Sequence, residues 1–483
     1  MTLLAIAACS GSNPTHGSDA GADAPPGCGD GVKSASEQCD TMDLGGATCS
    51  SATAPGWVGV LSCTASCQLN VAGCNPPTTT WNPITDKANW SQFDVAGLYP
   101  GAKGFASQVF DGRYLYFVPN NNGAADGVVT RYDTQGGFGS SGSWETFDVA
   151  TVTATAKGFI GGAFDGRYVY FVPYNNGTYD GVIARYDTRG AFGTPASWQT
   201  FDIATVDANA RGFVTATFDG RYLYLAPHYN GAYDGFTARY DTQADFTTAA
   251  AWTVFDISTV NAGAKGFLGA AFDGRYVYYA PYNNGTAYHG LVPRFDTQAS
   301  GGFADKASWT VFNTQTVNGN DVGFYSIAFD GKYLYLGQYY DGAAATPAYD
   351  GYVVRYDTTA SFTTAGSWST FNPATINGNA KGFVGAAFDG RFIYFASHYN
   401  GAAYTGVSVR YDTQGAGFAT ASSWSTFDTA TLNANAIGYH GIGFDGTYIY
   451  MTPGGNGAPL GVVTRFAAKS PGWLPLAWNA AFD

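Results

Sequence analysis

The 483-residue chain carries 65 glycines, 34 tyrosines and 34 phenylalanines against only 12% charged residues, the usage of short strands joined by tight turns rather than of helices. A net charge of −13 argues against nucleic-acid binding, which is driven by cations that neutralise phosphates. No run of about 18 apolar residues offers a membrane-spanning helix.

In chain order, the apolar run Leu3 to Ala8 ends in Ile6-Ala7-Ala8-Cys9. This resembles the lipobox of bacterial lipoproteins, in which the cysteine is diacylated and becomes the mature N-terminus. The resemblance implies export, a lipid anchor at Cys9 and residence at the outer membrane or cell surface. No Lys or Arg precedes Cys9, so residues 1–9 are expected to be a truncated signal whose start codon lies upstream. An ordinary signal peptide with an incidental cysteine is the alternative. Residues 10–27 hold Gly, Ser, Asp, Ala and Pro with almost nothing to bury and are expected to be a flexible tether.

Six more cysteines, Cys28, Cys39, Cys49, Cys63, Cys67 and Cys74, fall within residues 28–74. The stretch C-G-D-G-V-K-S-A-S-E-Q-C-D, with the later Cys63-x3-Cys67-x6-Cys74, resembles the myxobacterial cysteine-rich repeat of bacterial surface proteins. A segment this short cannot close a sufficient apolar core, so three disulfides are expected as staples, with about 15 pairings open. Zinc is the rival reading for these cysteines. It is weakened by the absence of a nearby histidine and of paired C-x2-C knuckles. Residues 75–88, with Pro76 and Pro77, read as a linker.

Beyond the linker, F-D-G-R-Y-V-Y-F (Phe164 to Phe171) recurs in close copies, with Asp-Gly pairs starting at Asp111, Asp165, Asp219, Asp273, Asp330, Asp389 and Asp445. Asp-Gly between aromatic, β-branched runs predicts a hairpin with a type I′ turn, in which both central residues take positive φ. Each unit reads as four strands: S-W-E-T-F-D, A-K-G-F-I-G-G-A-F, R-Y-V-Y-F-V-P and V-I-A-R-Y-D-T. Seven such units predict a seven-bladed β-propeller over residues 89–470, followed by a tail at 471–483. The Gly/Ala strand belongs innermost, where seven strands converge, and the Trp-led strand outermost. Its first copy, at Trp90, precedes the first hairpin and is expected to complete the last blade. The competing A-W-N-A-A-F-D places Trp478 and Phe482 four apart instead of three.

In strand order the unit resembles the kelch repeat and its galactose-oxidase-like relatives, with Pro173-Tyr174-Asn175-Asn176-Gly177 where kelch has a Gly-Gly doublet. Copper chemistry of the galactose-oxidase type needs a cysteine for its cross-linked cofactor, and none follows Cys74.

Strand alternation puts the Asp-Gly hairpins and the R-Y-D-T ends on one face, where the repeated charges are expected to serve turns and strand pairs. The other face gathers Lys103, Lys157, Arg211, Lys265 and Lys381, with Val322 and Ile437 in the fifth and seventh blades. One loop position there is read as Tyr174, His228, Tyr282, Gln338 and His398, with Tyr229, Tyr339 and Tyr399 beside it. Aromatics with cationic and amide neighbours around a concave opening suit a polyol or glycan; the alternative is that they only pack and solvate loops. For an enzyme acting on polysaccharide, the candidates outside the repeat are Asp321 and Asp341, with His289 and His440. Asp126, Asp180, Asp234 and Asp350 are possible calcium donors, each in the setting of an ordinary turn.

The expectation is thus an all-β, seven-bladed propeller of four-stranded blades behind a disulfide-rich module. It would be a monomeric surface lipoprotein that binds a glycan or surface protein without cofactor, nucleic acid or catalysis. A polysaccharide-acting enzyme and a structural scaffold are the alternatives.

Overall fold

The computed structural model describes residues 29, 33–41, 43–53, 57–64, 66–75, 80–342 and 349–470. Cys9, the tether, Cys28 and the tail at 471–483 lie outside them.

Seven four-stranded antiparallel sheets form the body. Blade 1 runs outward from Phe105–Phe110 through Tyr114–Pro119 and Val128–Asp133 to Trp144–Asp148. Blades 2 to 6 repeat this order, with innermost strands Phe159–Phe164, Phe213–Phe218, Phe267–Phe272, Phe324–Phe329 and Phe383–Phe388. Blade 7 takes Tyr439–Phe444, Tyr448–Pro453 and Val462–Ala467 from the end of the chain and its outer strand, Trp90–Asp94, from the beginning. Trp90 pairs with Phe466 and Asp94 with Val462, so the ring closes through the N-terminal strand as expected.

The W-x2-F spacing explains why that strand fits. Residues three apart on a strand point to opposite faces, so each outer strand sends Trp toward one neighbouring blade and Phe toward the other. Seven Phe–Trp stacks result, one per joint, from Phe147–Trp198 at 4.9 Å to Phe427–Trp90 at 4.8 Å and Phe93–Trp144 at 5.2 Å. A spacing of four would put both rings on one face and leave a joint empty. Each Trp also donates its indole N–H to a carbonyl six residues earlier, as Trp198 does to Phe192; Trp90 uses Ile84 in the same way.

The Asp-Gly turns differ from expectation. Glycine alone takes positive φ (97° at Gly166), and the aspartates do not. Asp165 instead accepts the amides of Arg167 and Tyr168 and the hydroxyl of Tyr170, and its own amide bonds to the Tyr168 carbonyl. The carboxylate closes a wider turn than type I′ by satisfying its donors. On the same face Arg167 grips Asp187, and five other blades form the corresponding ion pair. The repeated Arg of R-Y-D-T is an inter-blade staple: Arg185 lies 3.9 Å from the Tyr168 ring and 4.3 Å from Phe246 of the next blade, and donates to Tyr240.

The N-terminal module carries the bridges Cys39–Cys63 and Cys49–Cys74, and Cys67 is also disulfide-bonded. These bonds replace the zinc alternative for the five described cysteines. The module lies on the Asp-Gly face, where Gln243 donates to the Gly29 carbonyl and Trp81 meets Phe392 edge-on. Within the expected linker, Thr80–Trp81 pairs with Lys469–Ser470 as a short two-stranded sheet. Among the described residues no helix is long and apolar enough to cross a membrane.

Candidate functional site

The face opposite the module is built by two chain segments per blade. One is the lead-in to the innermost strand, A-K-G-F; the other is the loop after the second strand, Y-N-N-G-T-Y-D-G in blade 2. They are tied together by backbone bonds, such as the Asn175 amide to the Gly158 carbonyl and the Gly158 amide to Asp126 of the previous blade. The lead-in glycine is required there: Gly212 sits at φ 68°, and a methyl group on it would overlap the Tyr229 carbonyl and press on the Tyr179 ring.

Each innermost strand has a register shift just after its first residue. The bulge turns a side chain into the central channel. Ala106, Ile160, Val214, Leu268, Tyr325, Val384 and His440 ring a cavity of about 130 Å3 there.

Around this mouth runs a chain of aromatic rings. Tyr174, His228, Tyr282, Tyr339 and His398 follow one another from blade 2 to blade 6, with centroids 5.7–6.2 Å apart. His440 of blade 7 joins at 4.4 Å from His398. The place is open for it because Gly454 stands where blades 2 to 6 have the aromatic; a methyl group at Gly454 would overlap the His440 ring.

In each of blades 2 to 6 the inner ring meets an outer tyrosine edge to face. The pairs are Tyr174–Tyr179, His228–Tyr233, Tyr282–Tyr288, Tyr339–Tyr349 and His398–Tyr404, at 5.1–5.5 Å. Tyr229, Tyr340 and Tyr399 bridge between pairs, for example Tyr340 at 4.8 Å from both Tyr288 and Tyr349. Blades 1 and 7 carry Asn120 with Ala125 and Gly454 with Pro459 at these positions. The aromatic surface is therefore an arc with two ends.

One register expectation is corrected. Gln338 pairs with Phe324 as Pro173 pairs with Phe159, so it occupies the proline position of the repeat and Tyr339 is the counterpart of Tyr174. Gln338 is fully buried and donates to the carbonyls of Asn320 and Val322.

Burial works against charge on the inner rings of the arc. Burial pushes His228 down to about 3, and burial with the adjacent His398 does the same to His440; burial also lowers His398. Burial raises Tyr174, Tyr282 and Tyr339 above the ordinary phenol value. His228 and His398 bond the carbonyls of Phe267 and Tyr439 in the neighbouring blades. Lys103, Lys157, Arg211, Lys265 and Lys381 all lie half-buried on this face, and none is held in an ion pair among the described residues. Sequence reasoning missed Tyr179, Tyr233, Tyr288, Tyr349 and Tyr404, whose signal is the recurrent tyrosine two residues before a loop glycine, as in T-Y-D-G and A-Y-H-G.

No protein-family model matches the sequence, and no curated protein matches it. Among solved structures, it is similar to Kuenenia stuttgartiensis hydrazine synthase: 13% identity and a TM-score of 0.47, over 76% of this chain and 96% of that one. It is also similar to the computationally designed Ika8 protein, at 11% and 0.41 over 76% and 96%. A third is PorZ, a surface component of the type-IX secretion system of Porphyromonas gingivalis, at 12% and 0.45 over 80% and 40%. Likenesses this distant transfer nothing about ligands or reactions.

The structure does not join the enzyme candidates into one site. Asp321 replaces the alanine that precedes Lys in other blades (Ala156, Ala380). It is fully buried, accepts from Thr370 at 2.5 Å, and is pushed up to about 7 by burial. It does not line the central cavity. Asp341 lies in the fifth-blade loop, hydrogen-bonded to Asp350. His289 takes the loop aspartate's place in blade 4: its Nε2 donates to the Lys265 carbonyl and its Nδ1 accepts the Leu291 amide. Asp126, Asp180 and Asp234 cap the turn below through the amides of Val128, Val182 and Phe236. The one potential metal-holding group among the described residues is Glu37, Asp40 and Cys67, and Cys67 is committed to a disulfide.

Proposed function

We propose that this is a kelch-like surface lipoprotein, anchored at Cys9 and spaced from the membrane by its tether and disulfide module, whose propeller binds carbohydrate without chemical turnover. The observation that carries the reading is the aromatic arc around the channel mouth. Sugar rings need flat apolar faces and convergent hydrogen-bond partners, and the tyrosine rings with their hydroxyls, the Asn amides and the nearby ammonium groups offer both. The module leaves this face uncovered, since its described contacts fall on the Asp-Gly side.

A glycan array probed with the full chain carrying Cys9→Ser tests it. Binding that is lost in Tyr233→Ala and Tyr288→Ala, with the melting temperature retained, supports the reading. Release of reducing ends from a polysaccharide, abolished by Asp321→Ala or Asp341→Ala, would replace it with the enzyme alternative. Response in neither assay leaves a scaffold.

A further inference from the structure

We propose that the arc reads a linear, repeating polymer, one repeat unit to each of blades 2 to 6, instead of a single small ligand. This rests on the carbohydrate reading above and specifies its ligand.

The geometry repeats a station five times. Each of the five blades holds one inner aromatic and one outer tyrosine in the same edge-to-face relation, at 5.1–5.5 Å. The inner member is Tyr in blades 2, 4 and 5 and His in blades 3 and 6, whereas the outer member is tyrosine in all five: Tyr179, Tyr233, Tyr288, Tyr349 and Tyr404. Blade rotation carries one station into the next, so a ligand that satisfies one and continues with the same repeat satisfies its neighbour.

The arc is also open. Ala125 and Pro459 replace the outer tyrosine in blades 1 and 7, side by side around the ring, so the row of tyrosine stations has two ends. A closed ring of stations would admit only an end or a cyclic ligand. Burial holds His228 and His440 down to about 3 and lowers His398, so the inner rings meet a ligand with aromatic faces and not with imidazolium charge, which suits hydroxylated units. A single stacking contact is weak. Linked stations raise one another's effective ligand concentration, so five of them suit a polymer far better than a monosaccharide.

Defined-length oligomers of β-1,4-linked glucose and of β-1,4-linked N-acetylglucosamine, one to eight units, are titrated calorimetrically into the full chain carrying Cys9→Ser. The affinity is expected to rise roughly threefold per added unit and to level off near five units. Tyr404→Ala, at one end of the arc, should bring the plateau one unit earlier. Ala125→Tyr, which gives blade 1 the residue that five other blades tolerate, should move it one unit later. Thermal melting checks that both variants are folded. A length-independent affinity, or a plateau unmoved by both variants, overturns the polymer inference and leaves carbohydrate binding standing. No binding at any length in either series overturns both.

Discussion

At the scale of single residues, Asp321 separates the structural from the catalytic account. Its folded pKa of about 7 lies above the ordinary 3.8, so the folded state holds a proton that the unfolded chain has released. The stability from that proton is fully present below about pH 4 and is lost as the pH rises through 7. Asp321→Ala, restoring the residue of the other blades, should therefore stabilise the protein at pH 7.5, by on the order of 2 kcal/mol, and flatten its melting profile between pH 4 and 7. Equal melting curves for wild type and variant across that range would refute this. Several residues of the face were legible in the sequence. The lysine position was fixed by its neighbours, Gly in all seven blades and Phe in six, whereas Gln338 was misplaced because blade 5 lacks the proline that marks the end of this strand in blades 1 to 4 and 7 and carries two tyrosines, Tyr339 and Tyr340, after it. His440 was readable only as a departure from the pattern; that it fills the space above Gly454 depends on a bulge, and a bulge leaves no mark in composition.

At the scale of elements, the joints between blades rest on two devices, the Phe–Trp stack and the arginine clamp. Trp198 is nearly fully buried and stacks on Phe147 at 4.9 Å. Trp198→Ala should cost about 3–5 kcal/mol, read from chemical denaturation. Arg185→Lys keeps the charge but loses the planar stack between Tyr168 and Phe246 and the fork on Gln199, and should cost about 1–2 kcal/mol. An unchanged midpoint would show that charge alone matters there. Strand order and the choice of closing strand were legible because W-x2-F has an odd spacing, a geometric fact about strands. The turn type was not: Asp-Gly fits a type I′ hairpin equally well, and only the position of Arg and Tyr amides around the carboxylate decides for the wider turn.

At the scale of the whole molecule, the described disulfides lie entirely in the N-terminal module and the propeller contains no cysteine. Reduction should leave the aromatic face intact, and with it the proposed glycan binding; lost binding in reductant with an unchanged melting temperature would show that the module takes part. Ring closure has its own pH dependence. Lys469, beside the closing strand, is buried between Trp81 and Phe444 and lowered to about 8 by burial. Its folded value lies below the ordinary 10.5, so its unfavourable contribution fades as the pH climbs from about 8 toward 10.5. Lys469→Met should raise the melting temperature at pH 7 and remove that rise; Asp389 and Asp445, which face the ammonium, remain in place. The central claim is that ligand sits on the aromatic arc. Hydrogen–deuterium exchange with and without a bound glycan polymer tests it most directly. The account predicts protection in the loops that carry Tyr174 to Tyr179, Tyr229 to Tyr233, Tyr282 to Tyr288 and Tyr399 to Tyr404. Protection confined to the Asp-Gly hairpins of the opposite face would contradict it.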